Sequence, residues 1–532
     1  MLIGYVSDER YLALHDVNVE FLRGDESVAR VRSSPRGAIY ADLPNGDYTV
    51  ELARDGNGAK SVSLSLPLPE AHQFRLLSDS LYGYMWPKWV RSGESAEYCI
   101  HASEECRVSL WRYGLEKEFV RLINWHGEHG PRANVQVVPD GDYTQAGVQW
   151  NRVGYDSKHH SLRITAPERS GLYYIHLEGR SGAFTALPWV VAPRSPQARI
   201  AVLAATNTWN AYNNFGGRSN YIHPDRLPDR PTMNARLELD RYRPGYNAYG
   251  HPNDSYLPLS FMRPEPGNFV PLEDRITDAI RGRNECALSP AEWRLLGWLE
   301  REGFDYDLWA EAHLHHGQLD LDEYQILMIS VHPEYWSAEM YRQVKNWVIE
   351  RGGRLMYLGG NGIDGPVEFL DESTLRFLNH VPEDASLQPG EIFRNRFTQA
   401  VESPAQLLGV VYDDRGIMTA APYRVLDDQH WAFSGSGLHN GDLFGVTSLG
   451  ERISGGASGH ETDKVSPLFS PAGVEVLAKG TNPDDGGADM ICYRSASGGR
   501  VFSTGSITYV GSLLVDDPLS KVTSNVLNRF LD

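Results

Sequence analysis

One run constrains the fold more than any other feature of the chain. Arg199-Ile-Ala-Val-Leu-Ala-Ala is apolar without alternation. A strand that reads this way is covered on both faces, which is the state of a parallel strand packed between helices. Downstream segments repeat the theme. Ser289-Pro-Ala-Glu292 opens a helix, with Ser at the N-cap, Pro at the first position and Glu at the third. Trp293, Leu296 and Leu299 share one face, and Gly303 ends it. Phe304-Asp-Tyr-Asp-Leu and Gln325-Ile-Leu-Met-Ile-Ser read as strands. Ser337 caps a second helix with Met340, Val344, Trp347 and Val348 inward, stopped by Gly352-Gly353. Arg354-Leu-Met-Tyr-Leu-Gly-Gly is the next strand. Consecutive βαβ units predict a parallel sheet with right-handed crossovers. Arg500-Val-Phe-Ser-Thr-Gly-Ser-Ile and a helix near Ser520 to Leu531 supply the last strand and helix.

The front of the chain reads differently. Val17-Asn-Val-Glu-Phe-Leu, Tyr48-Thr-Val-Glu-Leu and Ser61-Val-Ser-Leu-Ser-Leu alternate with period two around an Asn45-Gly46-Asp47 turn. The stretch from Arg36 to Tyr48 resembles small Ig-like modules. Ser95-Ala-Glu-Tyr-Cys-Ile-His, Cys106-Arg-Val-Ser-Leu-Trp-Arg-Tyr and Gly171-Leu-Tyr-Tyr-Ile-His-Leu are short strands of the kind that build a sandwich. Pro193-Arg-Ser-Pro196 is the linker. The expected division is a small Ig-like β domain over 1–70, a β-sandwich over 71–195 and the α/β domain over 196–532.

Charge and composition narrow the partners. A net charge of −19 argues against nucleic acid, because phosphate binding needs clustered Lys and Arg. No apolar run approaches the ~20 residues of a membrane span. The first ten residues lack a basic segment and a long apolar one, so a secretory signal is not expected. Four cysteines, Cys99, Cys106, Cys286 and Cys492, fit a cytoplasmic protein with buried thiols, although Cys99 and Cys106 are near enough in sequence to pair. Neither CxxC nor HExxH occurs, so standard zinc signatures are absent.

Ligands of an open parallel sheet bind beyond the carboxyl ends of its strands. There the sequence places Thr206 to Tyr221, then Val331-His332-Pro333-Glu334-Tyr335-Trp336, then Gly359-Gly360-Asn361-Gly362, then Thr508-Tyr509. Each has a plainer explanation. His332-Pro-Glu334 caps a helix, Trp209 and Tyr212 pack on the sheet, and Gly359-Gly360 is a strand exit. Ser458-Gly-His460-Glu461-Thr-Asp-Lys464 is an exposed loop or, with four titratable groups, part of a site. His313-Leu-His315-His316 looks metal-like, but solvated histidines explain it better.

Five motifs in order carry a resemblance: Thr208 to Tyr221, Leu259-Ser-Phe-Met-Arg-Pro264, Ser330-Val-His-Pro-Glu-Tyr-Trp-Ser, Gly352 to Asn361, and Ser458 to Lys464. Together they resemble the large (beta) subunit of N,N-dimethylformamidase. The resemblance implies a mononuclear, ferric iron amidohydrolase acting on linear amides. It implies iron held by Tyr212, a second tyrosine and Glu334, with His332 beside the metal. Both Tyr221 and Tyr249 suit the second tyrosine, and the G-G-x-S-x-Y pattern favours Tyr221. His460, Asn361 and Glu461 match the active-site segments. Phenolate and carboxylate are hard donors suited to Fe(III), and such a cation makes a phenolate accessible to a group whose free pKa is ~10. The fold class expected is multidomain: N-terminal β-sandwich modules and a flavodoxin/glutamine-amidotransferase-like, parallel-sheet α/β catalytic domain. The expected partners are a small amide, with a small subunit and further copies of the chain open, and no nucleic acid or membrane. Two rivals stand beside this reading: a binding or assembly protein on the same scaffold, and a carbohydrate-active protein, which rests on architecture alone. No candidate ligand lies in residues 1–70.

Overall fold

In the strand Ile200–Ala204 every residue is buried. Its side chains alternate between two cores, as a strand's must. Ile200, Val202 and Ala204 join Trp293, Leu296, Val526 and Phe530 on one face. Ala201 and Leu203 join Met340, Val344 and Trp347 on the other. Each fully buried Val, Leu or Ile of this kind stabilises the fold by about 1.5–3 kcal/mol. The computed structural model describes residues 1–126, 135–150, 161–234, 250–271, 286–381, 395–450 and 453–532.

This strand pairs in parallel with Asp307–Ala310 on one side and Ile326–Val331 on the other. Arg354–Gly359 and Arg500–Ser503 continue the parallel array. Numbered in chain order, the parallel strands lie 2-1-3-4-5 across a nine-stranded sheet. The sheet is not parallel throughout. Beyond Arg500–Ser503 it continues antiparallel through Asp489–Arg494, Glu475–Gly480, Tyr423–Val425 and Leu443–Phe444. The reason is local: the short Ser495-to-Gly499 connection can return the chain only as a hairpin, whereas a parallel pair needs a long crossover.

Three long helices flank the parallel half: Ser289–Arg301, Ala338–Ile349 and Asp517–Leu531. Ser337 caps the second, accepting from Met340 N at 3.2 Å. The first starts otherwise than its sequence suggests. Its N-cap is Leu288, the Ser289 hydroxyl meets Tyr174 at 2.7 Å, and Glu292 turns into the core. The strand expected from Phe304 begins at Asp307.

Among the described residues the front half is all β. Leu2–Ser7 pairs with Ala38–Tyr40 and His72–Arg75. Against it lies a sheet of Asn18–Arg23, Glu26–Arg32, Gly46–Arg54 and Gly58–Leu66, extended by Val135–Gln136. Ile3, Val6, Phe21, Val50, Leu64 and Phe74 fill the space between. A second pair of sheets encloses Met85, Tyr98, Ile100, Val108, Leu177 and Trp189. Cys99, Cys106, Cys286 and Cys492 are all free and buried. No described helix is long and apolar enough to cross a membrane.

Candidate active site

The strand order reverses between Ile200–Ala204 and Ile326–Val331, and a crevice opens beyond the carboxyl ends at such a point. The first strand leads into the helix Thr206–Tyr212, whose last residue is the candidate tyrosine. The second leads into His332-Pro333-Glu334. Backbone strain collects here. Val331, Asn361, Ile363 and His460 all have left-handed φ, between 47° and 62°. For β-branched Val331 and Ile363 this conformation is costly, about 1–3 kcal/mol each, and it persists only where the surroundings impose it.

Glu334 is the hub. Its Oε2 accepts from Tyr221 at 2.6 Å and lies 3.5 Å from the Tyr212 hydroxyl. The two tyrosine rings are 4.6 Å apart between centroids. Oε1 accepts from Arg396 at 2.8 Å, and Arg396 also donates to Asp364. The Tyr221 hydroxyl lies 2.7 Å from that of Tyr335. His332 is fully buried. Its Nε2 sits 3.3 Å from both Glu334 Oε2 and Glu461 Oε2, within ion-pair range of each. Its Nδ1 lies 3.5 Å from the Tyr212 hydroxyl. Asn361 Nδ2 donates to Glu461 Oε2 at 2.8 Å, which leaves Asn361 Oδ1 buried without a partner. Behind this pair stands Asp463. It accepts from Asn361 N at 2.8 Å and from the Tyr357 hydroxyl at 2.6 Å.

Electrostatics follow from burial. Burial, then Glu334 and Glu461, hold the Tyr212 hydroxyl well above its ordinary value. Burial raises Glu334 in spite of His332 and Arg396. Burial also raises Glu461, but the hydrogen bond and charge of His332, with His460 and Asn361, outweigh it and hold the carboxyl below its usual range. Burial would lower His332, yet Glu334 and Glu461 push it up. The cluster is therefore richer in acidic oxygens than in cations, and a multivalent cation would relieve it.

The family described as N,N-dimethylformamidase beta subunit-like, C-terminal, matches residues 110–523. The chain belongs to that family. The N,N-dimethylformamidase beta subunit of Paracoccus aminophilus is 28% identical over 503 residues, covering 79% of this chain and 62% of the relative. The beta subunit from an Alcaligenes species is 28% identical over 289 residues, 46% of this chain and 37% of the relative. The chain thus spans less than two thirds of either relative's length. Among solved structures, the Bacillus anthracis TIE protein aligns with 36% of this chain and 32% of its own, at 10% identity and a TM-score of 0.13.

Within this dimethylformamidase-like chain, Tyr212, Tyr221, His332, Glu334, Asn361 and Glu461 come together, and His460 acts on Glu461 by its charge. The His460 ring lies 3.1 Å from Met418 Sδ. Tyr249 lies outside the described residues. Tyr509 belongs to the core, its hydroxyl 2.8 Å from Thr523. His313 is not solvated: it is buried, accepts from Ala310 N, and burial pushes its pKa to about 3. His315 meets Ser337 and stacks on Phe369. Arg396 and Asp364 carry no signal of a site in the sequence, and Tyr335 and Tyr357 lie inside its motifs without being singled out there. Only Asn395, which caps the helix that begins at Arg396, marks that place locally. No three His, Cys, Asp or Glu side chains form a metal-binding set among the described residues. A cation here would rely on phenol oxygens, and the Tyr212, Tyr221 and Glu334 oxygens are near enough to one another that they could hold one.

Proposed function

We propose that this chain hydrolyses the C–N bond of a small linear amide with the help of one ferric ion. The observation that carries the reading is the meeting of two tyrosines, Glu334 and the His332–Glu461–Asn361 group at the reversal of strand order, in a member of a dimethylformamidase-like family. The parallel half, ordered 2-1-3-4-5, supports assigning it a flavodoxin/glutamine-amidotransferase-like layout. Tyr212, Glu334 and Tyr221 would hold the ion, with Tyr249 the alternative to Tyr221. All are hard oxygen donors. Such an ion, when bound, polarises a carbonyl and acidifies water.

The protein's own residues supply the rest. Arg396 occupies Glu334 Oε1 and so turns Oε2 toward the tyrosines. Asn361 is fixed by Glu461, and its unpaired Oδ1 accepts an N–H of the substrate or the departing amine. A proton on His332 Nε2 lies between two carboxylates, in reach of Glu461. An amine leaves poorly until protonated, and a placed acid contributes roughly 10²–10⁴ in rate. His332 and Glu461 are the pair we assign to that transfer. The relatives are named as subunits, and we extend a partner subunit to this chain.

The test measures iron per chain and amine release from formamide, N-methylformamide and N,N-dimethylformamide. Wild-type protein is expected to hold iron and release amine. Glu461→Gln is expected to keep the iron yet lose about 10²-fold in turnover. Near-normal turnover would remove Glu461 from the chemistry, and loss of iron would make it a ligand. Well-folded wild-type protein with neither iron nor amine release would overturn the reading.

A further inference from the structure

Tyr221 lies on a loop that bonds the parallel sheet's own crossovers near its end, through Asn220 to Ala211 O and Tyr335. The amino-terminal β unit holds its beginning. Arg75, the last residue of the strand His72–Arg75, is fully buried. Its guanidinium donates to Asp8 O at 2.9 Å, Gly141 O at 3.1 Å and Gly216 O at 2.9 Å. It lies over the rings of Tyr11 and Tyr143. Gly216 N returns a bond to Glu9 O. The Tyr11 hydroxyl donates to Pro228 O at 2.8 Å, and the Tyr11 and Thr232 backbones are joined. Gly216 and Gly217 both have left-handed φ. A Cβ on Gly217 would sit 2.4 Å from that of Tyr11, and one on Gly216 would sit 2.4 Å from Thr144. The Gly-Gly of the Tyr221 motif is thus the seat on which the front unit rests.

From that seat the loop is fixed onward. Arg218, also fully buried, donates to Asp142 Oδ2 at 2.6 Å and to Pro224 O at 3.1 Å. Asn220 N donates to Ala211 O at 2.8 Å. The Ser219 hydroxyl accepts from Tyr221 N at 3.1 Å. Stability alone is a poor reason to bury Arg75, since an apolar residue of similar volume usually serves as well. A rigid fork that bonds backbone carbonyls of three separate segments fixes geometry instead.

We propose that the amino-terminal β unit is a working part of the site, in which Arg75 and Tyr11 act as positioning residues that hold the 213–224 loop so that the Tyr221 hydroxyl sits on Glu334. Both lie outside the residues 110–523 matched to the family, while their partners Gly141, Tyr143 and Gly216 lie inside them. The inference rests on the amide-hydrolase reading only for its effect on turnover. The loop geometry is measured separately.

The experiment compares full-length wild type, Arg75→Met and Tyr11→Phe by hydrogen exchange read peptide by peptide, and by iron content and turnover. In Arg75→Met, exchange across 213–224 is expected to rise several-fold while Ile200–Ala204 and Ile326–Val331 keep wild-type protection. Turnover should fall about 10²-fold, the cost of a small misplacement at a reacting centre, with KM little changed. Tyr11→Phe, which keeps the ring and loses only the hydroxyl, should show a smaller change of the same kind and decides the matter where Arg75→Met does not fold. Unchanged exchange across 213–224 overturns the proposal. So does a loosened loop with normal turnover and iron. Should the wild type itself hold no iron and release no amine, the amide reading fails, and exchange alone decides whether the front unit holds the loop.

Discussion

At the scale of single residues, the proposed iron site has two candidates, Tyr221 and Tyr249, for the tyrosine that would join Tyr212. Tyr221 donates to Glu334 at 2.6 Å, so its oxygen already sits where a shared cation would draw it. Tyr221→Phe is expected to abolish iron binding, and Tyr249→Phe to alter activity with iron retained. Iron content of the two variants checks this, and the opposite pattern reassigns the site to Tyr249. Tyr212, His332, Glu334, Asn361 and Glu461 are legible in the sequence because each follows a strand end or a distinctive motif, and topology brings strand ends together. Arg396 and Tyr357 are not legible. Arg396 reaches Glu334 across 62 positions of sequence, and Tyr357 reads as one apolar position of a buried strand. His313 reads as solvated for a related reason. Glu311, His315 and His316 nearby are polar, but the helix Glu311–His315 turns His313 inward against Trp309.

At the scale of elements, the short helix that carries Tyr212 is held at its start by two buried acids. Glu292 Oε1 accepts from Ala205 N at 3.2 Å and from the Trp209 indole at 2.8 Å. Glu311 Oε2 accepts from Asn207 N at 2.7 Å. Burial, opposed only by those hydrogen bonds, pushes Glu292 up to about 8 from 4.5. In that window the folded protein keeps a proton that the unfolded chain releases. Stability from this group is complete at low pH and drains away as pH rises toward 8, by at most about 1.4 kcal/mol per pH unit. Glu292→Gln keeps the volume and the acceptor but cannot ionise. Its thermal midpoint is expected to fall less than that of the wild type between pH 5 and 8. Parallel curves would show that Glu292 is ionised in the fold. By position Glu292 suits a capping role at the third helical residue, and the structure shows why that fails: Tyr174 occupies Ser289, so the acid serves a neighbouring helix instead. The strands and the Ser337 cap are legible because periodicity and capping are local. The antiparallel half of the sheet is less so, because its short strands carry weak patterns and find their partners only in three dimensions.

At the scale of the whole molecule, the proposed cation would tie three separate segments, of which Tyr212 and Tyr221 already pack against one small apolar cluster. Tyr212 comes from the parallel sheet's first crossover, Tyr221 from a loop seated on the amino-terminal unit, and Glu334 from the next strand end. An ion bound by all three binds the folded chain and not the unfolded one, so it stabilises the native state by mass action. At a free concentration a thousandfold above its dissociation constant the gain is about 4 kcal/mol. Phenolates on ferric iron also absorb visible light by charge transfer, so loaded protein is expected to be coloured. Stripping the iron should remove the colour and lower the thermal midpoint together, and restoring Fe(III) should return both. Tyr212→Phe should match the stripped wild type in both respects and gain nothing from added iron. Zinc in place of iron, with no visible band, would sink the ferric assignment. A midpoint unmoved by stripping would mean that the ion does not join these segments. Tyr212→Phe is the informative variant, because burial with Glu334 and Glu461 keeps that phenol protonated in the absence of a cation. Removing its hydroxyl from metal-free protein should therefore cost little, and whatever stability separates the variant from loaded wild type belongs to the metal.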